Sequence, residues 1–212
     1  MIAMLLSPLL DVLFPPRDTE LLVRHATFED VARVLSPTLL NSDGYRIVSL
    51  LPYQEPLVQA SIVEAKFHNN KKASVLLSQV LLDYLLEALS DTTTPTTEVV
   101  VLIPIPLSSK RKRARGYNQV EEILRPLSAS TEAILDATIL ERTRDTSPQT
   151  TLLKNARLQN MLGAFCVRKE IDPDIRYILV DDVVTTGATM TEALSTLSRA
   201  GARKVSALTL AH

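Results

Sequence analysis

Asp181 and Asp182 stand side by side where the apolar run Tyr177 to Val180 ends and a loop is expected to open, and "VVTTGATM" follows them directly. Adjacent carboxylates each resist ionisation, so such a pair faces open solvent or meets a cation or hydroxyl groups. The segment after them, Thr185, Thr186, Gly187, Ala188 and Thr189, leads into a run of helical periodicity. A helix N-terminus offers unpaired backbone N–H groups and the positive end of a dipole. Gly187 lets the backbone come close to a bulky anion, and the threonine hydroxyls add donors. Taken singly, an aspartate here caps a turn and a threonine caps a helix. Taken as one string, the segment reads as a phosphate cradle. The aspartates lie one short loop away, suited to hydroxyl groups or to a hard cation such as Mg²⁺ that accompanies a phosphorylated ligand.

The elements that must position this string follow from apolar patterning. "RYILV" before the aspartates and "VVVLIPIP" (Val99 to Pro106) are continuous apolar runs of strand length, as in strands covered on both faces. "YRIVSLLPY" (Tyr45 to Tyr53) and the closing "KVSALTLAH" read as further strands. Thr27 and Asp30 stand in capping-box spacing for a helix over 27–35, and Pro56 suits the first turn of another. From Ala73 to Ala88 apolar residues recur near every 3.6 positions, and Met190, Ala193, Leu194 and Leu197 repeat the pattern before Gly201. Asn118 and Glu121 again match capping spacing. A short strand is expected near Ile139 to Arg142, a loop over Ser90 to Glu98 and a helix around Leu153 to Met161. Strands alternating with helices imply an α/β fold with a mainly parallel sheet flanked by helices. In such sheets ligands bind at the carboxyl ends of the strands.

Composition narrows the function classes. The chain of 212 residues is 46% apolar and 22% charged, with a net charge of −1 and one cysteine. That balance carries no overall nucleic-acid signature, and a lone Cys166 excludes a disulfide framework or a multi-cysteine zinc site. "MIAMLLSPLLDVLF" at the N-terminus has no basic leader, contains Asp11 and is short of the roughly 20 residues of a membrane span. It reads as an apolar helix packed on the domain or on a partner, with a homodimer as one way to bury it. A cytoplasmic protein is expected. Neither a P-loop nor a dinucleotide-binding glycine motif is present. A phospho-receiver domain would carry its acidic pair near the start of the fold, not in the last strand but one.

The string "ILVDDVVTTGAT" resembles the signature that binds 5-phosphoribosyl-1-pyrophosphate (PRPP) in type I phosphoribosyltransferases. Three further blocks are similar to those of one branch, the ComF-like competence-associated family. They are "LLPYQEPLVQASIVEAKFHNNKKA", "IPIPLSSKRKRARGYNQ" and "RTRDTSPQTTLLKNARLQNMLGAF". The resemblance covers Tyr45 to His212 and implies a type I phosphoribosyltransferase domain over 45–212, after a helical extension over 1–44. It implies that Asp181 and Asp182 engage the ribose hydroxyls of PRPP, with Mg²⁺ beside them, and that Thr185, Thr186, Gly187, Ala188 and Thr189 hold its 5-phosphate. It places Lys66 in a pyrophosphate loop, and Arg111, Lys112, Arg113 and Arg115 in a mobile hood. Lys66, Arg113 and Arg115 are then the expected catalytic residues. The partners implied are PRPP, a nitrogen acceptor that the sequence does not name, and a protein of DNA uptake. Family members commonly begin with a zinc module whose first cysteine follows an "FPPR"-like stretch. Here that position is Asp18, so no zinc is expected. Asn69 and Asn70 occupy a turn where glycine is the expected residue, and asparagine tolerates the left-handed conformation.

The basic run Lys110 to Arg115 reads as a loop that closes over phosphate, ahead of a solvated face and of direct DNA binding, since Tyr117 is the sole aromatic beside it. Arg142, Gln149, Arg157 and Asn160 either line an acceptor pocket or tie a long polar segment to the domain. Cys166 in "AFCV" reads as a buried small side chain. His68 is assigned no proton-transfer role. Two functions follow: a transferase that displaces pyrophosphate from PRPP with a nitrogen nucleophile, or a non-catalytic sensor of PRPP or nucleotide that acts through a partner.

Overall fold

The structure, a computed structural model, describes residues 15–90, 98–144 and 161–212. In chain order its elements are α1 (Asp18–His25), α2 (Phe28–Ala32), β1 (Thr38–Ser42), β2 (Tyr45–Leu51), α3 (Pro56–Phe67) and α4 (Lys71–Ser90). There follow β3 (Val100–Pro104), α5 (Ser109–Arg115), α6 (Gln119–Ser130), β4 (Ile134–Leu135) and β5 (Leu140–Arg142). The chain closes with β6 (Phe165–Val167), β7 (Arg176–Val183), α7 (Ala188–Arg199) and β8 (Lys204–Ala211).

Six strands form one sheet in the order β1-β2-β8-β7-β3-β4. Only the β1–β2 pair is antiparallel; the other four pairs are parallel. β7 therefore lies inside the sheet, between β8 and β3, and its apolar run is covered on both faces. Ile178 and Val180 pack with Leu77, Leu81, Ile123 and Leu124 of α4 and α6. Tyr177 and Leu179 pack with Met190, Leu194 and Leu197 of α7 and with Phe165 of the separate β5–β6 ribbon. This is a mixed α/β architecture with a mainly parallel central sheet and helices on both faces.

Local chemistry explains most boundaries. Thr27 and Asp30 form a reciprocal capping box, and Pro56 opens α3 at a position that needs no N–H. Asn118 caps α6 through the N–H of Val120, one residue short of the expected Glu121. Three departures stand out. Thr38–Ser42, read as part of a helical extension, is instead strand β1 and belongs to the main sheet. The basic run, expected as a loop, is helix α5, because Ser108 accepts the N–H of Arg111 and Gly116 ends the helix in the left-handed region. β7 runs on through Asp181 and Asp182, which were read as opening a loop. The N-terminal apolar run, the loop core over 91–97 and the expected helix before Met161 lie outside the described residues. Among the described residues, no helix is long and apolar enough to cross a membrane.

Candidate functional site

Successive residues of a strand point to opposite faces, so the two adjacent carboxylates of β7 enter different environments. Asp182 is buried on the face of α3 and α6. Lys66 Nζ lies 2.8 Å from its Oδ2, and Gln119 Nε2 donates to the same oxygen at 2.7 Å. Its Oδ1 accepts the N–H of Val183 at 2.8 Å. A carboxylate out of water is tolerated only with such compensation. Arg115 extends the chain of contacts by donating to Gln119 Oε1 at 2.6 Å.

Asp181 takes the other face, in register with Thr209 of β8, which is in turn in register with Ser49 of β2. Burial pushes the Asp181 carboxyl up to about 7, and the Asp182 charge adds to the rise. The N–H of Asp182, which donates at 2.9 Å, opposes the shift, as do the charges of Lys66 and Arg111. Asp181 can thus change protonation near neutrality.

The loop after β7 is tied back to the sheet by Val184, whose N–H donates to Ala211 O at 2.9 Å. It ends at Gly187, with φ +78°, and no side chain caps α7. The first N–H groups of α7 are thus left for an anion, beside exposed Thr185 and half-buried Thr186 and Thr189. The glycine has a structural reason that differs from close approach to a ligand. A β-carbon at 187 would lie 2.6 Å from both Cβ and Oγ of Ser42, at the end of β1. Ser42 Oγ also donates to Thr186 O at 3.2 Å and accepts from Thr191 Oγ1 at 3.0 Å. The β1–β2 hairpin therefore braces the threonine loop.

Lys66 lies in the last turn of α3, at the entry to the turn that the resemblance assigns to the pyrophosphate loop. The turn after it is held from three sides. Asn69 adopts φ +49°, the left-handed conformation anticipated for an asparagine in place of glycine. Glu64, fully buried, accepts a bidentate pair from Arg17 at 3.0 Å on each oxygen, a hydroxyl from Thr19 at 2.7 Å and the amide of Asn70 at 3.2 Å. Burial alone would raise the Glu64 carboxyl, but the bonds from Arg17, Thr19 and Asn70 hold it down at about 2. Tyr117 Oη donates to Ala65 O at 2.9 Å and accepts the N–H of Asn69 at 3.0 Å.

The sequence-derived residues therefore divide. Lys66, Arg115, Asp181, Asp182 and the 185–189 loop meet at the carboxyl edge of the sheet. Arg113 is exposed on α5 and makes no contact with Asp181 or Asp182, whereas Arg111 acts on Asp181 through its charge. Arg142 packs against Phe165, 5.7 Å from its ring centroid, and reaches Met161 Sδ at 3.8 Å, so it ties its own segment together. Gln149, Arg157 and Asn160 lie outside the described residues. Cys166 is half-buried rather than buried. Sequence reasoning missed Gln119, Ser42 and Glu64 as supports of the site; of these only Glu64, between Val63 and Ala65, carries a signal, a charged residue amid apolar neighbours. Among the described residues, no group of three or more His, Cys, Asp or Glu side chains could hold a metal ion alone. An apolar groove of about 600 Å³ lies elsewhere, lined by Leu21, Leu22, His25 and Leu57.

No family model matches the chain. Curated proteins do. The chain is 32% identical over 160 residues to DNA utilization protein YhgH of Salmonella typhi, covering 76% of this chain and 69% of that protein. It is 34% identical over 161 residues to DNA utilization protein YhgH of Escherichia coli strain K12, with the same coverage of 76% and 69%. It is 35% identical over 113 residues to competence protein F of Haemophilus influenzae, covering 52% of this chain and 49% of that protein. Similarity at this level over two thirds of both partners reflects common descent, and the chain belongs to the ComF family, with DNA utilization protein YhgH and competence protein F among its relatives.

Proposed function

We propose that the chain is a PRPP-binding protein with the type I phosphoribosyltransferase fold. It transfers the phosphoribosyl group to a nitrogen acceptor with release of pyrophosphate, in the service of DNA utilisation or uptake. One observation carries the reading. Asp181 and Asp182 lie in the last three residues of a central parallel strand, and the uncapped N-terminus of α7 opens one short loop beyond them.

In this reading the N–H groups of α7 and the hydroxyls of Thr185, Thr186 and Thr189 bind the 5-phosphate. Asp181 accepts the ribose hydroxyls, and anionic phosphate nearby is balanced by Lys66, Arg111 and Arg115. Lys66 leaves Asp182 to meet the pyrophosphate, whose growing charge it stabilises as the C1–O bond breaks. Asp182, freed from Lys66 but still bound by Gln119, takes a ribose hydroxyl in its place. The residues fit a Mg²⁺ carried in by the ligand, since one or two carboxylates plus substrate phosphates make up its usual shell. Mg²⁺ so held supplies charge neutralisation of the pyrophosphate. Catalysis is then positioning and electrostatics, with no covalent nucleophile required.

The experiment is calorimetric titration of PRPP with Mg²⁺, then with EDTA, into the wild type and Asp181→Asn/Asp182→Asn. Saturable binding strengthened by Mg²⁺ and lost in the double variant is expected. Undiminished affinity in a folded double variant overturns the site. A second reading, a sensor without turnover, draws on the engagement of Asp182 by both Lys66 and Gln119. Pyrophosphate release from PRPP with added bases or amines separates the two.

A further inference from the structure

Phe67 follows Lys66 at the end of α3 and is 59% exposed. The guanidinium carbon of Arg115 lies 5.0 Å from the ring centroid. That guanidinium donates to Gln119, and Gln119 donates to Asp182. One arginine side chain thus joins an open aromatic ring to the buried carboxylate of the site. Arg115 covers one face of the ring, and more than half of the residue remains accessible to solvent. An aromatic ring gains by leaving water, and a ring already backed by a cation is set to receive a second flat group.

The platform is held in place. Tyr117 bonds Ala65 and Asn69 on either side of Phe67, and Glu64 with Asn70 fixes the turn beyond it. Arg115 is partly desolvated, and burial lowers its pKa against the pull of Asp182. Its plane is therefore ordered by Gln119 on one side and Phe67 on the other.

The geometry points to Phe67 and Arg115 as the acceptor subsite, a stacking platform for a planar heteroaromatic ring. This deepens the transferase reading and rests on it. The nitrogen acceptor is then a ring nitrogen of a nucleobase-like compound, not ammonia or an aliphatic amine, neither of which has a face to stack. The cationic side chains of Arg111 and Arg115 favour an electron-rich ring over a cationic one. Stacking is tolerant of ring identity, so the platform sets the class of acceptor, and in-plane contacts choose among its members.

The test compares ribose 5-phosphate with the purine and pyrimidine ribonucleoside 5′-monophosphates, titrated into wild type, Phe67→Ala and Phe67→Tyr. At least one nucleotide is expected to bind wild type about tenfold or more tighter than ribose 5-phosphate, the gain of one stacked base. The ratio is expected to fall towards one in Phe67→Ala and to return in Phe67→Tyr. Equal affinity for ribose 5-phosphate and every nucleotide in the wild type overturns the subsite. So does a nucleotide advantage that survives Phe67→Ala, and both leave PRPP binding standing. Failure of PRPP, ribose 5-phosphate and nucleotides alike to bind overturns the transferase reading and the subsite with it. Phe67 then serves another purpose, such as contact with a protein.

Discussion

Ser42 occupies the space that any side chain at residue 187 would need: an added β-carbon would sit 2.6 Å from Ser42 Cβ and Oγ. The end of β1 and the start of α7 are thus built against each other, and the threonine loop takes its shape from that contact. Gly187→Ala suffers twice, from its positive φ and from the clash. A loss of about 2–3 kcal/mol in urea unfolding is expected. Adding Ser42→Gly should return about 1 kcal/mol by relieving the clash while the φ penalty persists. A double variant no more stable than Gly187→Ala would show that Ser42 is not the obstacle.

Asp181 is held with its pKa raised to about 7, above the ordinary 3.8. Between those two values the folded state binds more protons than the unfolded state. Stability from this group therefore falls as pH rises from about 4 to about 7. Asp181→Asn removes the charge and the pH dependence. Its unfolding free energy at pH 8 should exceed that of the wild type by on the order of 1–2 kcal/mol, the partial exposure of Asp181 limiting the gain. At pH 4.5 the two proteins should be nearly equal. A wild type whose stability climbs from pH 5 to 8 relative to the variant would contradict the assignment.

Glu64 has the opposite sign. Its pKa is lowered from 4.5 to about 2, so its contribution is present above pH 4.5 and is lost as pH falls towards 2. Arg17→Ala leaves a buried carboxylate with Thr19 and Asn70 alone. A loss of about 2–3 kcal/mol at pH 7 is expected, smaller at pH 3 where the carboxyl can take a proton. Equal losses at the two pH values would mean that Arg17 acts through packing rather than charge.

Lys66→Met separates the pyrophosphate from the rest of the ligand. With the fold checked by circular dichroism, PRPP affinity should drop at least about tenfold, as when one charge-assisted bond is lost. Ribose 5-phosphate, which lacks the pyrophosphate, should lose far less. Parallel losses for both ligands would place Lys66 at the ribose or the 5-phosphate.

How much of this was legible in the sequence differs element by element. The strand of "RYILV", the helix after Gly187, the Thr27 capping box and the proline at the start of α3 are local, set by neighbours within one or two turns. The left-handed turn at Asn69 was readable for the same reason. The helical state of "SKRKRAR" was not read, because charge repetition suggested a loop that closes over phosphate and hid the Ser108 cap and the Gly116 stop. β1 was missed because "TLLNS" is short, and its strand state comes from pairing with β2.

The sequence by itself determined that two carboxylates follow directly on a buried strand and that a glycine-bearing threonine loop leads from them into a helix. Those are matters of apolar period and capping, decided by adjacent residues. Only the tertiary structure decided that Asp182 meets Lys66 and Gln119 while Asp181 turns to the other face beside Thr209. Only it set Ser42 against Gly187 and Arg115 against Phe67. These partners lie far apart along the chain. They meet because parallel pairing of β7 with β3 and β8 draws the ends of α3, α6 and β1 to one edge of the sheet. No local preference records which side chains will share that edge.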